Sequence, residues 1–435
     1  MLAILIGTSV YVVTAFPPSI ASTWNNPKSW QENPAKAPPT WIGLFTSAYP
    51  PTVNFPSIQW VNVAPPGSAL YNYSNAYTFQ WSSTHTPSDV VFLPQFNGTI
   101  IEAAITWSKP DGTSAQMYIS NPSPDYLYGS NDPQLSQWIE HFIQLQTGKS
   151  QSSVTVPQEM AALFDKGGAS LLTNAVSTGE YRVRIDLVSQ APVNISSSTF
   201  FAINGKSYGT MGTDLYGRPI QLGMLLGVPS ALELGAVTAV VSVVVGIIFG
   251  GIAGYYGARK DTVMQWVSLV VLAMPALPFL VVVGVTYAGQ VTLIDEALII
   301  AALSWPFYAI IARSVALSVK SQTYVEADYA MGISSTRIFF THFMPRLTPV
   351  SIAYTALGVP GSIILAQTLA FLGIQPANIV TWGGILDEAF IQQAALFGWW
   401  WWVLFPGLMI VLTAVPFVLV GFALDRIVAP KVNVK

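Results

Sequence analysis

The sequence contains no cysteine among its 435 residues. A disulfide framework, a thiolate metal site and a cysteine nucleophile are therefore excluded, and the redox compartment cannot be read from cysteine usage. Histidine is nearly as scarce, because His85, His141 and His342 stand too far apart in sequence to form a local metal-binding motif. The sequence therefore predicts no metal site.

Charged residues are also few. They make up 9% of the chain, whereas 52% of the residues are hydrophobic, and the net charge is −3. A composition this apolar is not that of an ordinary soluble protein and indicates insertion into a membrane. The basic residues are scattered rather than gathered into one patch, so we expect no nucleic-acid partner.

The first apolar run extends from Leu2 to Phe16 and is short for a bilayer span, which needs about 20 residues. Extension to Ile20 makes a span feasible, and residues 1–21 are predicted to form a first transmembrane helix. A cleaved signal peptide is the alternative, because Ser19 and Ala21 offer small residues to a peptidase. No Lys or Arg precedes the run, which favours the retained helix.

Residues 22–205 are rich in Pro, Asn, Ser, Thr, Trp and Tyr and contain no stretch that could cross a bilayer. A Lys109-Pro-Asp-Gly112 turn predicts a β-hairpin from Ile100 to Ile119. From Tyr181 to Leu187, apolar residues alternate with charged ones, as in a strand with one buried face. Asp132 is the predicted N-cap of a helix. We expect a strand-rich α+β domain.

Three glycosylation sequons fall in this domain, at Asn72, Asn97 and Asn194. They suggest an external surface, but a segment rich in Asn, Ser and Thr also produces such triplets by chance, and both interpretations stay open. The Asn204-Gly-Lys-Ser207 segment resembles the end of a phosphate-binding loop, although Phe200 stands where the upstream glycine is required. This segment is therefore predicted to be a turn without bound nucleotide.

A pre-helix segment, residues 206–230, leads into a predicted transmembrane domain at residues 231–435. With the first helix, the apolar stretches of this domain make about six transmembrane helices. The five stretches are Ala231–Tyr255, Val263–Thr286, Ala297–Ser318, Val350–Leu372 and Trp399–Leu424. The predicted fold class is a polytopic α-helical membrane protein with an α+β, strand-rich extracytoplasmic domain.

The predicted orientation follows from the basic residues, which lie at one set of helix ends. They are Arg259, Lys260, Arg313, Lys320, Arg337, Arg346, Arg426, Lys431 and Lys435. The opposite loops, Gly289–Glu296 and Gly373–Gly398, contain no Lys or Arg. By the positive-inside rule, the basic ends and the C-terminus are cytoplasmic, and residues 22–205 lie outside.

Small residues and prolines inside the spans predict local helix geometry. Gly246, Gly250 and Gly254 recur every four residues, so another helix can approach this stripe closely. Prolines in the third and fourth spans are expected to kink or break their helices. These prolines are Pro275, Pro278 and Pro306.

Two further features have competing explanations. Gln367 lies inside an apolar stretch and should face protein or water, so it either lines a translocation pathway or forms an interhelix hydrogen bond. The four tryptophans Trp399–Trp402 lie beside a loop that carries Asp387 and Glu388. A membrane-interface belt explains these tryptophans, with stacking on a sugar as the alternative.

A polar stretch from Tyr324 to Pro345 separates two apolar segments. Its first part has helical propensity, Gly332 is a natural helix stop, and Ser334 or Ser335 can cap a second helix that runs toward Pro345. The stretch is predicted to form a helix, a turn and a helix on the cytoplasmic side. A rigid helix held between two membrane helices suits the transmission of motion.

Three motifs, in residues 320–346, 212–218 and 371–383, together resemble those of one family, the oligopeptide/dipeptide branch of the ABC importer permeases. In residues 320–346, Glu326 and Ala327, followed by Gly332 and the run His342-Phe-Met-Pro345, are similar to the EAA loop of that family. The other two motifs are similar to its GTDxxGRD segment and to its FLG and WG elements. Their residues here are Gly212, Thr213, Asp214, Gly217 and Arg218, then Phe371-Leu-Gly373 with Trp382-Gly383.

The resemblance implies a type I permease that moves peptides or oligosaccharides by alternating access. It implies a second homologous permease, two ABC ATPase subunits and an extracytoplasmic substrate-binding protein as partners, with ATP and Mg acting in the ATPases. This chain would hold no cofactor and catalyse no reaction. The residues expected to couple it to the ATPases are Glu326, Ala327, Asp328, Gly332, Arg337 and Pro345.

The sequence departs from the family at three motif positions. Asp328 stands where a second alanine is usual, Pro219 where the aspartate of GRD is usual, and Met344 where leucine is usual. Residues 22–205 have no counterpart in typical members. We expect them to dock or orient the binding protein, with a stabilising cover as the alternative. A membrane-anchored surface receptor or adhesin is the alternative function, and no nucleophile-base motif favours an enzyme.

Overall fold

The computed structural model forms two compact units, Asn26–Gln221 and the combination of Met1–Asn25 with Leu222–Lys435. We call them the strand-rich unit and the helical unit. The structure describes residues 1–17, 19–30, 32–55, 60–65, 67–126, 128–129, 132–147, 163–164, 176–196, 199–286, 291–376 and 378–428. Lys431 and Lys435, which contributed to the predicted orientation, lie outside the described residues.

The strand-rich unit is built on antiparallel sheets. Its strands are β1 Val53–Phe55, β2 Val61–Asn62, β3 Tyr71–Trp81, β4 Asp89–Leu93, β5 Phe96–Asn97, β6 Glu102–Ser108, β7 Ser114–Ser120, β8 Gly179–Ser189, β9 Asn194–Ile195 and β10 Phe200–Asn204. They form a five-stranded sheet in the order β2-β3-β8-β6-β7, a three-stranded sheet β1-β10-β4 and the pair β5-β9. The α+β class is confirmed.

Local sequence patterns predicted several of these elements. The hairpin is confirmed, because β6 pairs with β7 from Glu102 opposite Ser120 to Ser108 opposite Ser114, and Gly112 in the turn has φ +84°. The alternation along β8 is confirmed as well, since Tyr181, Val183, Ile185 and Leu187 are all fully buried. Asp132 Oδ1 accepts a hydrogen bond from Gln134 N (2.9 Å) at the start of the helix Pro133–Thr147.

The helical unit contains most of the apolar residues. Numbered with the helix of the strand-rich unit as α3, its helices are α1 Leu2–Ala15, α2 Ile20–Trp24, α4 Ile220–Tyr256, α5 Ala258–Ala273, α6 Ala276–Thr286, α7 Leu293–Lys320, α8 Thr323–Ala330, α9 Ser335–Ile338, α10 Met344–Phe371, α11 Trp382–Ile391 and α12 Trp400–Val428. A π-helical segment, Phe339–Phe343, joins α9 to α10. Helix α4 contains the predicted span from Ala231 and begins earlier, at Ile220.

The described residues include four helices long and apolar enough to cross a membrane, or five if α5 and α6 count as one broken span. The break between them is bent by 72° at Pro275, as predicted. Pro306, by contrast, lies inside α7 without interrupting it. The predicted extension of α1 to Ile20 is wrong. The helix ends at Ala15, because Phe16, the residue before Pro17, adopts an extended backbone conformation.

The predicted glycine stripe is a helix contact. A Cβ atom at Gly250 would lie 2.0 Å from the carbonyl oxygen of Ala309, and one at Gly246 would lie 2.7 Å from that of Trp305. A Cβ atom at Gly254 would likewise lie 2.8 Å from the carbonyl oxygen of Arg313. Helices α4 and α7 therefore pack backbone to backbone along the stripe.

The run of four tryptophans does not form a simple interface belt. Trp401 and Trp402 are buried by the protein itself, and Trp400 is exposed by 37%. The belt prediction is therefore wrong for the two buried indoles, whose rings pack in the protein at the start of α12.

Candidate coupling site

The stretch between α7 and α10 forms a two-sided structure. Val325 of α8, Ile338 of α9 and Phe343 of the π segment are fully buried and join one apolar cluster with Tyr255 of α4 and Val319 of α7. This inner side fixes the stretch to two membrane helices at once. We call residues 320–346 the coupling loop.

Tyr255 is the main anchor of the coupling loop. Its hydroxyl donates a hydrogen bond to Ser335 O (2.9 Å), and its ring makes edge contacts with Phe339 and Phe343. The ring of Tyr329 stacks on that of Tyr255, with 6.5 Å between the centroids, and burial together with a hydrogen bond to Tyr255 raises the pKa of Tyr329. Lys320 Nζ donates to Tyr255 O (2.8 Å) and so caps the end of α4.

Gly332 ends α8 in the predicted way. Its φ is +79°, its N–H donates to Tyr329 O (3.1 Å), and Ile333 N donates to Asp328 O (3.1 Å). These two bonds are those of a Schellman motif, which requires a left-handed residue at this position. The chain therefore reverses at Gly332 with the last carbonyl groups of α8 satisfied.

The second half of the coupling loop differs from the prediction. Neither Ser334 nor Ser335 was needed as a side-chain cap, since α9 begins without a side-chain hydrogen bond from Ser334. The predicted helix, turn and second helix are present, with Ser334 at the N-cap position of the second helix. The second helix continues past Pro345 to Phe371 through the π segment, because Pro345 lies in the first turn of α10, where proline is tolerated.

Asp328 joins the two halves of the coupling loop. Its Oδ2 lies 2.5 Å from His342 Nε2, and the imidazole packs against the ring of Tyr324, with 5.1 Å between the centroids. Both side chains of this pair are largely shielded. Asp328, which departs from the family pattern, thus has a partner on the π segment in His342, a residue that belongs to no local metal-binding motif in the sequence.

The other side of the coupling loop is exposed. Glu326, Ala327, Gly332, Arg337 and Pro345 are each exposed. Two large apolar side chains that sequence reasoning missed are exposed as well, Met331 with 69% and Phe340 with 63% of their area. A mixture of apolar and charged groups on a rigid, anchored helix is suited to binding another protein.

The GTD-like motif forms a tight turn before α4. Asp214 Oδ1 accepts hydrogen bonds from Tyr216 N (2.8 Å) and Arg218 N (3.0 Å), and its other oxygen accepts from Arg218 Nε in a buried ion pair. Gly217 has φ +80°. Gly212 O accepts from Ile220 N (3.0 Å), and this bond ties the turn to the first residue of α4.

Residues before the strands hold this turn from the other side. Thr213 Oγ1 accepts a hydrogen bond from Ala37 N (2.9 Å) and donates to Pro34 O (2.6 Å). A Cβ atom at Gly217 would lie 2.6 Å from Trp30 O, which explains the glycine. The five motif residues therefore form a hydrogen-bonded turn that precedes α4. Their described contacts indicate a structural role and not a catalytic one.

Comparison with known proteins decides the family. Residues 246–434 match the model of the binding-protein-dependent transport system inner membrane component. The dipeptide transport system permease protein DppC of Alkalihalophilus pseudofirmus is 31% identical over 225 residues, which cover 51% of this chain and 72% of that protein. The chain belongs to this permease family.

Two further relatives agree. The permease is 30% identical to the probable D,D-dipeptide transport system permease protein DdpC of Escherichia coli, over 52% of this chain and 74% of that one. It is 29% identical to the oligopeptide transport system permease protein OppC of Haemophilus influenzae, over 52% and 71%. The predicted resemblance to the peptide branch of ABC importer permeases is confirmed.

Membership settles the class of function. The permease is a multi-pass membrane subunit of an ABC importer, a transport component rather than an enzyme, and it works with ATPase, permease and substrate-binding partners. The alternative of a surface receptor or adhesin is not supported. Within the described ranges, no group of three or more His, Asp or Glu residues could hold a metal ion.

The C-terminal family motif of the permease joins α10 to α11. Gly373 ends α10 with φ +78°, and the fully buried Trp382 donates from Nε1 to Met224 O (3.0 Å) on α4. Gln367 is buried, and its Oε1 accepts from Gly383 N (2.7 Å). Of the two roles considered for Gln367, this contact corresponds to the interhelix hydrogen bond, and lining of the pathway stays a prediction.

The three sequons of the permease differ in exposure. Asn97 and Asn194 are exposed and stand opposite each other in the β5-β9 pair. Asn72 lies in β3, and its amide oxygen is buried without a hydrogen-bond partner among the described residues. Glycosylation of these residues stays a prediction.

Proposed function

We propose that this permease imports peptides, in a complex with a second homologous permease, two ABC ATPase subunits and an extracytoplasmic substrate-binding protein. The names of the three relatives support peptides ahead of oligosaccharides, because each of those proteins is named for peptide transport. ATP and Mg act in the ATPases, and alternating access moves the substrate.

The coupling loop is the proposed entry point of that ATP-driven motion. The two-sided construction of the coupling loop carries this assignment. Glu326 and Ala327 are exposed on α8, whereas Val325, the residue before them, is fully buried. A partner bound to the exposed side must move α4, α7 and α10 together. We assign the contact with the ATPase to Glu326, Ala327, Asp328, Gly332, Arg337 and Pro345.

The proposed orientation puts the coupling loop in the cytoplasm and the strand-rich domain, residues 22–205, outside the cell. The basic residues near the loop support it, since Lys/Arg excess marks cytoplasmic ends. Outside the membrane, the strand-rich domain would dock or orient the binding protein. Carbohydrate on Asn97 and Asn194 would be compatible with that side.

Uptake measurements test the substrate. Vesicles that contain the complete transporter should accumulate a radiolabelled tripeptide in an ATP-dependent manner, with at least tenfold preference over maltotriose. The preference is expected because the relatives are named for peptides. Equal or better accumulation of the trisaccharide would reject the peptide assignment and would favour oligosaccharides as the substrate.

Because the chain contains no cysteine, a single cysteine introduced into the coupling loop can be cross-linked and labelled specifically. Ala327→Cys would be the sole cysteine of the chain, on the exposed side of α8. We expect a maleimide–benzophenone photocross-linker attached to this cysteine to link it to the co-purified ATPase on illumination, and an impermeant maleimide to label it only after the cytoplasmic face is opened.

Ala395→Cys is the matched control, because Ala395 is also an exposed alanine but lies between α11 and α12. It should be labelled from outside in sealed cells and should form no link to the ATPase. Labelling of the Ala327→Cys variant from outside would reverse the proposed orientation, and a link from Ala395→Cys alone would remove the coupling assignment.

A further inference from the structure

A small cavity lies where α6 ends, α7 begins and α10 ends. Its volume is about 200 Å³, and its walls are mostly aliphatic, with Leu280, Val283, Ile299 and Leu369 among them. Two polar side chains, Glu296 and Gln375, also line it. A cavity of this size is smaller than the sites that enclose a whole drug-sized ligand, and it fits the end of a larger molecule.

Glu296 is the one acidic residue among the described residues that line this cavity. It is 92% buried, at 8% exposure, and within the described residues no hydrogen bond or ion pair reaches its carboxyl group. Its neighbour Asp295 is engaged with Thr292 in the capping box of α7 and does not compete for the cavity. Burial of a carboxylate is costly unless a cation or a set of donors meets it.

Among the described residues that line the cavity, none is Lys, Arg or His. Residues 287–296 and 373–398, which surround the cavity in sequence, contain no Lys, Arg or His. They carry further acids instead, and a carboxylate oxygen of Asp387 lies beside Gly373, one of the lining residues. The cavity is thus an apolar recess with acidic groups in and near its wall.

We propose that this cavity binds a primary ammonium group carried on an aliphatic body, with Glu296 as its counter-ion. On the function proposed above, on which this inference rests, the ligand is the N-terminal end of a peptide with an aliphatic first residue. The ammonium meets the buried carboxylate, Gln375 offers a neutral polar contact, and the aliphatic side chain fills the recess. The cavity then selects for a free amino terminus.

The probe is L-leucinamide, an ammonium on an isobutyl body, bound to the complete transporter in lipid nanodiscs and measured by equilibrium dialysis. N-acetyl-L-leucinamide is the matched ligand without the charge. We expect leucinamide to bind at least tenfold more tightly than its acetylated form, and Glu296→Gln to reduce this preference to within twofold. Glu296→Asp should keep a measurable preference, because the carboxylate remains.

Two more variants separate charge from shape. Val283→Phe fills the recess and should weaken both ligands, whereas Asp425→Asn removes an exposed carboxylate on α12 and should change neither. Unchanged binding of leucinamide by Glu296→Gln, or equal binding of both ligands by the unaltered protein, would overturn the proposal. Glutamine is close in size to glutamate and removes a buried charge, so this variant is expected to fold.

Tripeptide uptake by the same preparation separates this inference from the proposed function. Normal uptake without Glu296-dependent binding would reject the cavity assignment and leave peptide import standing. Glu296-dependent binding without any peptide uptake would keep the ammonium site and reject peptides as the cargo.

Discussion

Gly250→Ala is expected to remove most of the folded permease from the membrane. The added Cβ would lie 2.0 Å from Ala309 O and 2.7 Å from its carbonyl carbon, and both are backbone atoms that cannot rotate away. Helices α4 and α7 would have to separate along the whole glycine stripe. Overpacking of this kind costs about 3 kcal/mol or more where the backbone itself must shift. The yield of the assembled complex after mild detergent extraction measures the effect.

Gly407→Ala is the matched control, since Gly407 lies inside α12 with no atom within 4 Å of the added Cβ. Alanine favours a helix over glycine by about 1 kcal/mol, so this variant should assemble at least as well as the unaltered chain. If both variants assembled equally well, the close contact of α4 with α7 would be incorrect.

Gly332→Val is expected to lower ATP-driven uptake about tenfold while the permease stays inserted. The position has φ +79°, where a β-branched residue is strained by about 1–2 kcal/mol, which changes a population by roughly 5- to 30-fold. The space around Gly332 is open, with no atom within 4 Å of an added Cβ. The damage is therefore to the turn and to the direction of α8, and not to packing.

Gly332→Asn is the informative comparison, because asparagine tolerates the left-handed region far better than valine. It should keep most of the uptake, although its side chain is as exposed as that of valine. The ratio of peptide transported to ATP hydrolysed is the readout. Equal losses for both variants would indicate that the exposed surface, and not the turn, requires glycine here.

Patterns of short range predicted much of the fold. The period of two along β8, the turn residues of the β6-β7 hairpin and the N-cap Asp132 each depend on neighbours within a few residues, and the structure has all three. The stripe at Gly246, Gly250 and Gly254 predicted a close helix, although only the structure identifies that helix as α7. Family resemblance, rather than residue chemistry, indicated the coupling loop.

Contacts between distant residues set the rest. Helix α4 begins at Ile220 because the loop around Asp214, which residues 34–37 support, accepts a hydrogen bond from the first residue of the helix. A hydropathy profile does not detect such hydrogen bonds. Asp328 was recognised as a departure, but its pairing with His342 depends on the fold of the π segment. Glu296 belonged to a loop that was notable only for its lack of Lys and Arg.

The unbroken rod from Ser335 to Phe371 has a mechanical consequence. At 1.5 Å per residue, its 37 residues extend over about 55 Å, with the Tyr255 contact at one end and Leu369, in the wall of the Glu296 cavity, near the other. Such a rod acts as a lever arm. A small tilt imposed at Ser335 displaces the far wall of the cavity, so a push at one end changes the volume available at the other.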